Sequence, residues 1–285
     1  MRRTLIAVGL VSGLLTVPQP ALQAAGIVCN TFVAGVTPDR HILFRDVTNR
    51  RVYDEIVSEE ARNKMPTAMT YYGARDEAGK RLAEFDVYVP STRTRRLQAS
   101  WAEGGDAFSV KELWTESSFW YSKVAASSGT YYVYGVDYSG RLRQWTRYRN
   151  DRRSVFVDTP KTIARNMGGI KTLVFNHSRR FDGVRVDVLY GTTRKGALLQ
   201  FRIPWRKPEN AKITTIRRTG FAKFTGLSTS SCNRTTDHLS IIAINAKANT
   251  AKWFTMRNQM KPSGKNLVNR GLIAKDADWR ITAVS

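Results

Sequence analysis

His41, His177 and His238 are the only histidines of the chain, and no two stand at a spacing that puts paired imidazoles on one metal ion. No metal and no cofactor is expected. A serine nucleophile fares no better, since GLSTS at Gly226 lacks the nucleophile-elbow pattern and the nearest histidine, His238, belongs to another predicted strand. The residues that do suggest chemistry are aromatics beside hydrogen-bonding groups. Trp120, Tyr131 and Trp205 fall near predicted loops, with Asp137, Gln144 and Gln200 as polar neighbours. Aromatic rings cover the apolar face of a sugar while amides and carboxylates bond its hydroxyls, so these six are the candidate ligand-binding residues. That chemistry is recognition, not catalysis.

Such side chains need a rigid frame in order to converge. Turn-flanked pairs of alternating segments dominate the chain, and helical periodicity is nearly confined to SEEARNK at Ser58 to Lys64, so the fold class is all-β. One hairpin phrase recurs. TYYVYGVDYSGRLRQWTRY (Thr130 to Tyr148) turns at Asp137 to Gly140, VDVLYGTTRKGALLQFRIPW (Val186 to Trp205) at Lys195-Gly196, and HLSIIAINAKANTAKWFTM (His238 to Met256) at Asn249. The segments Phe85 to Trp101 and His41 to Ile56 follow the same template more loosely. Val52, Leu97, Leu142, Leu198 and Ala251 then stand in register, at steps of 45, 45, 56 and 53 residues. These steps suit four-stranded propeller blades. First strands are predicted in Pro66 to Ala74, Ser117 to Gly129, Gly168 to Ser178 and Gly220 to Ser230, and outer strands begin near Phe108, Ser154, Ala211 and Lys265. Only the hairpin at His41 has no first strand before it. The alternating WRITAVS at Trp279 to Ser285 supplies one, which predicts a five-bladed β-propeller closed by its C-terminal strand joining the N-terminal blade. Trp145, Phe201 and Phe254 recur at one blade position and are expected to pack between sheets.

Residues 1–25 read as a secretory signal peptide, with Arg2 and Arg3 ahead of an apolar stretch and an exit at Ala24-Ala25. Residues 26–285 form the single propeller domain. No other apolar run approaches membrane length, so a secreted, extracellular protein is expected. The leader carries those two arginines and no acid, so the mature chain is two charges below the +23 of the whole sequence. That balance suits polyanionic surroundings, and export removes the usual nucleic-acid target, which leaves anionic cell-wall or cell-surface polymers. Arginine clusters such as HSRR at His177 to Arg180 are able to hold phosphate or carboxylate groups. Cys29 and Cys232 are the only cysteines and fall in blades adjacent across the closed ring, which predicts a disulfide. A loop of that length stabilises by roughly 4 to 5 kcal/mol before strain.

GGIKTLVF followed by VLYGTTRKGALLQF, and then YVYGVDYSGRLRQW, resemble the blade phrase of the tachylectin-type five-bladed β-propeller lectins. The resemblance is good over the last three blades, weak over the second, and confined to the hairpin in the first. It implies a lectin without catalysis, with sugar sites between adjacent blades, often for N-acetylated hexosamines. The insertions HSRRFDGVRVD (His177 to Asp187) and SCNRTTDH (Ser231 to His238) depart from that pattern. The alternatives are a glycoside hydrolase or lyase using the central channel, or a protein-binding scaffold. Hydrolysis needs two carboxylates at the channel. Asp76 is the only acid near a predicted inner strand, so no enzyme is expected.

Overall fold

The computed structural model describes residues 28–59, 68–77, 80–89, 93–102, 107–116, 122–128, 131–149, 154–156, 159–232 and 237–282. The predicted leader, most of the SEEARNK segment and Trp120 lie outside them. Among the described residues strands account for nearly all regular structure, and the two helical turns, Pro208–Asn210 and Ala246–Ala248, are single 3-10 turns. No helix of the described residues is long and apolar enough to cross a membrane.

Every predicted hairpin forms. The first sheet joins β1 (Asn30–Val36), β2 (Ile42–Thr48), β3 (Arg51–Ser58), β4 (Ala68–Glu77), β5 (Lys80–Val89), β6 (Arg93–Ala102) and β7 (Ala107–Glu116) in the order β1-β2-β3-β7-β6-β5-β4. The second contains β8 (Ser122–Ser127), β9 (Tyr132–Asp137), β10 (Leu142–Arg149) and β11 (Ser154–Phe156), with β12 (Lys161–Ala164) also paired to β10. The third runs β13 (Ile170–Phe181), β14 (Val184–Thr193), β15 (Leu198–Pro204), β16 (Lys212–Arg217), and the fourth β17 (Gly226–Ser231), β18 (His238–Asn245), β19 (Thr250–Arg257), β20 (Leu267–Leu272). The architecture is an all-β propeller. It has four sheets where five blades were expected, because a short parallel pairing of Val57 and Ser58 with Ala107 and Phe108 fuses β3 to β7. The fused sheet bends back until its two end strands, β1 and β4, both reach the ring of inner strands alongside β8, β13 and β17.

Turn chemistry and close packing explain the repeated phrase. Gly140, Gly196 and Asn249 take left-handed backbone at the three best hairpin turns. The glycine of the Tyr-Gly pair is needed for space instead, since a Cβ at Gly135 would stand 2.5 Å from Ser122 Oγ, and one at Gly191 would stand 2.6 Å from Thr172 O. In the second and third sheets, glycine lets the second strand lie this close to the inner one. Of the five registered residues, Val52 is half-buried, and Leu97, Leu142, Leu198 and Ala251 are buried. So are Trp145, Phe201 and Phe254, with Phe201 filling the core between the second and third sheets and Phe254 that between the third and fourth, as expected of packing residues.

The closure differs from expectation. The inner strand beside the His41 hairpin is β1, which pairs with β2 over its whole length, and residues 278–282 form no strand. Instead Trp279 and Ile281 are buried as a wedge between the fourth sheet and β1–β3, against Leu43, Val47, Ile242, Ala251 and Ile273. One backbone bond, Thr282 N–H to Val36 O at 2.9 Å, ties the segment to β1. The predicted Cys29–Cys232 disulfide crosses the same seam, with Cα atoms 4.2 Å apart and an isolated antiparallel bridge between the two residues. Inner-strand hydroxyls complete the seam. Thr31 Oγ1 bonds Ser230 Oγ at 2.7 Å and Ser240 Oγ at 2.9 Å, and Ser228 Oγ donates to Phe32 O at 2.6 Å. These bonds satisfy polar groups that an open sheet edge would leave unpaired.

Candidate functional site

The predicted insertion His177 to Asp187 is a two-stranded extension of β13 and β14. Asp182 and Gly183 at its tip both take positive φ, 49° and 80°, the two-residue turn that an Asp-Gly pair favours. Past this turn the register sets Phe181 opposite Val184 and Arg180 directly opposite Arg185. Two like charges facing each other across a ladder disfavour the pairing, and both are exposed. Trp205 is held beside them, its backbone N–H donating to Arg185 O at 3.0 Å.

Below the arginines lies Asp187, fully buried. Its carboxylate accepts from Ser178 Oγ at 2.5 Å, Tyr134 Oη at 2.6 Å and Trp205 Nε1 at 2.7 Å. Burial pushes its pKa above the usual 3.8, and these three donors together with the Arg185 charge pull it partly back. Burial, and then the adjacent Asp187, push the Tyr134 hydroxyl well above its usual 10, so Tyr134 stays a proton donor. The bond from Tyr134 to Asp187 joins the second sheet to the third, and the bond from Trp205 fixes the plane of the indole.

Around this anchor the aromatic side chains converge. Tyr131 and Tyr132 meet Trp205 edge to face, with centroids 5.3 and 5.2 Å apart, and the Arg185 guanidinium lies 3.8 Å from the centroid of the indole. Tyr132, Arg185 and Trp205, together with Arg180, Gly183, Val184 and Arg206, line a cleft of about 460 Å³. None of the ion pairs among the described residues involves Arg180, Arg185 or Arg206. Three cationic forks line the cleft, and Tyr131, packed on the indole beside it, is 53% exposed.

Of the six predicted residues, the structure brings Tyr131 and Trp205 together and places Trp120 outside the described residues. Asp137 lies in the β9–β10 turn. Burial raises its carboxyl, but hydrogen bonds from Ser139 and Arg141 and the charge of Arg143 outweigh that and hold it at about 2. Gln144 and Gln200 are buried and serve the frame instead. Gln144 Nε2 donates to Tyr134 Oη at 3.2 Å, and Gln200 Nε2 to Tyr190 Oη at 2.8 Å and to Gln259 O at 3.1 Å. Each tyrosine reaches on to the next sheet, Tyr190 donating to Gln259 Oε1 at 2.9 Å. Arg185, Arg206 and Asp187 had no sequence assignment as site residues. The adjoining HSRR run and the Asp-Gly turn after it were the available signals.

Described residues also line two further cavities. The mouth of the central channel, about 350 Å³, is lined from β1, β4, β8, β13 and β17 by residues such as Asn30, Ser127, Asn176 and Thr229. Within the fused sheet, a cleft of about 280 Å³ lies between Phe32, Phe44, Asp46, Asp54 and Trp101.

The fold and the cleft define a class: a β-propeller with an aromatic and cationic groove between neighbouring sheets. No family model and no curated protein matches the chain. Among solved structures it is similar to a mutant of AofleA from Arthrobotrys oligospora, at 8% identity and a TM-score of 0.41, over 86% of this chain and 73% of that one. It is similar as well to the SapL1 lectin in complex with alpha methyl fucoside, at 11% identity and a TM-score of 0.40, over 81% and 79% of the two chains. The Hadza microbial sialidase Hz136 matches at 11% identity and a TM-score of 0.34, over 87% of this chain and 57% of that one.

Proposed function

We infer that the protein is a secreted, lectin-like propeller that binds a glycan or an anionic cell-surface polymer without catalysis, through the cleft between its second and third sheets. One observation carries this reading: Tyr132 and Trp205 line an open groove, Tyr131 packs on the same indole, and a buried carboxylate fixes that indole. A surface serving only solubility needs no such anchoring. A position between adjacent sheets is also what the tachylectin-type resemblance implies for sugar sites.

The channel lining supports binding over hydrolysis. Among the described residues its polar groups are hydroxyls and amides, and several are committed to neighbouring strands, as in Ser228 to Phe32 O and Thr229 to Phe175 O. Two-carboxylate chemistry has different requirements.

A glycan and teichoic-acid array, read at low and high salt, tests the proposal, with N-acetylated hexosamines among the first ligands. The expected result is binding by the intact protein that disappears in Trp205→Ala. Unchanged binding by a folded Trp205→Ala protein would remove the cleft from the account. Polysaccharide turnover that disappears in Asp76→Asn would replace recognition with hydrolysis.

A further inference from the structure

The geometry points to an oxyanion-bearing saccharide as the ligand of this cleft, with Arg180 and Arg185 as the residues that select its charge. The inference rests on the reading of the cleft as a binding site and adds what that site discriminates. Arg180 and Arg185 are directly opposite across β13 and β14. An isolated hairpin gains nothing from that arrangement, since like charges in facing positions repel. The described part of the protein supplies no ion pair to either residue, and Arg206 adds a third cation to the same wall. An anion between the forks removes the repulsion and gains charge-assisted hydrogen bonds.

The aromatic wall says where the rest of such a ligand lies. Arg185 stacks on Trp205, so the face of the indole beneath it belongs to the guanidinium. Stacking on an aromatic face leaves a guanidinium edge free for bidentate bonding to a carboxylate, sulfate or phosphate. Trp205 itself cannot turn without breaking its bond to Asp187, which holds Arg185 in one orientation before any ligand arrives. Tyr131, exposed and edge to face with the indole beside the cleft, is the surface left for a sugar ring. Aspartate in the groove would reject the anion, but Asp187 is buried beneath the indole and shielded by three donors, and Asp182, exposed at the hairpin tip, forms no ion pair with Arg180, Arg185 or Arg206 among the described residues.

Titration of the intact protein with matched oligosaccharides tests this: oligogalacturonate against neutral galactan, with a sulfated galactan and a polyglycerol phosphate as further arms. Preference for a charged member of roughly ten- to hundredfold is expected, the fold-change of a net charge-assisted hydrogen-bond pair. The arm that shows it identifies the oxyanion as carboxylate, sulfate or phosphate. Arg185→Gln and Arg180→Gln should each abolish most of that preference, and Arg185→Lys, which keeps the charge without the fork, should abolish much of it. Arg194→Gln, an exposed arginine outside the cleft, should change nothing. Equal affinity for charged and neutral members would overturn charge selection while leaving saccharide binding intact. Equal losses in Arg194→Gln and Arg185→Gln would overturn it in favour of diffuse attraction to a basic surface. Binding to none of the four polymers would overturn both this inference and the function proposed above. The substituted residues are exposed, and an unchanged thermal midpoint certifies each folded variant.

Discussion

Among the described residues arginine lies over tryptophan at two places, and the two places have opposite surroundings. At the seam, Arg45 sits 4.4 Å from the centroid of Trp279, and both side chains are out of solvent. There Arg45 Nε donates to Glu55 at 2.7 Å, Arg45 Nη1 donates to Asp278 O at 3.1 Å, and Trp279 Nε1 donates to Ala274 O at 3.2 Å. At the cleft, Arg185 sits over Trp205 with its guanidinium exposed and no carboxylate bonded to it among the described residues. A cation–π pair therefore carries no fixed meaning. Where the guanidinium donors are consumed by protein acceptors, the pair is structural, and where they face solvent beside other unpaired cations, they are available to a ligand.

Breaking the pairs one at a time should separate stability from binding. Trp279→Ala removes a fully buried indole from the wedge between the fourth sheet and β1–β3, and should cost roughly 3 to 5 kcal/mol in denaturant unfolding. Deleting Trp279 to Ser285 should cost more and leave an aggregating protein. A monomer of unchanged thermal stability would show that the wedge is dispensable. Replacing both Cys29 and Cys232 by serine comes next. The loop spans a sequence separation of 203, for which loop entropy gives roughly 4 to 5 kcal/mol as an upper figure, and glycan affinity at the distant cleft should not change. Trp205→Ala should show the reverse pattern. Its stability cost, roughly 1 to 3 kcal/mol for a buried carboxylate deprived of one donor, is the smaller, and its effect on binding the larger.

The smallest effect concerns pH and sharpens the contrast between the cleft hairpin and the rest. His177, on β13, has its pKa lowered from 6.5 to about 4, by burial first and by the charge of Arg179 second, and its Nδ1 accepts from Asn176 Nδ2 at 2.7 Å. The folded state thus prefers the neutral ring. Its contribution is fully present above pH 6.5 and is lost as pH falls from 6.5 towards 4. Thermal midpoints should fall across that window, and His177→Gln should flatten the fall. Asp137, held at about 2, acts lower, its contribution being lost as pH falls from 3.8 to about 2. Asp137→Asn should change the profile there and not near pH 5.

Much of the frame was legible in the sequence because period-two alternation and left-handed turn residues are local properties. Leu142, Leu198 and Ala251 could be registered from spacing alone, and their burial follows from it. The C-terminal segment shows where this reading stops. Alternation at Trp279 and Ile281 reports two side chains buried on one side, and a wedge satisfies that as well as a paired strand does. The strand that takes the inner place, β1, carries buried residues on both faces and so shows no alternation to detect. Gln144 and Gln200 illustrate the same limit at the site. A polar residue in a strand reads as a ligand donor until its cross-strand partner is known, and here the partners are Tyr134 and Tyr190, which use the amides internally. Arg185 was hidden because its meaning lies in its pairing with Arg180, which depends on where the hairpin turns.

A crystal structure of the protein with an acidic oligosaccharide tests the central claim most directly. The account predicts the oxyanion of the ligand between the guanidinium groups of Arg180 and Arg185, at roughly 2.7 to 2.9 Å from their nitrogens, with a sugar ring against Tyr131. A ligand seated instead in the channel mouth beside Thr229, or in the cleft between Phe32 and Trp101, with the Arg185 and Trp205 groove vacant, would contradict it.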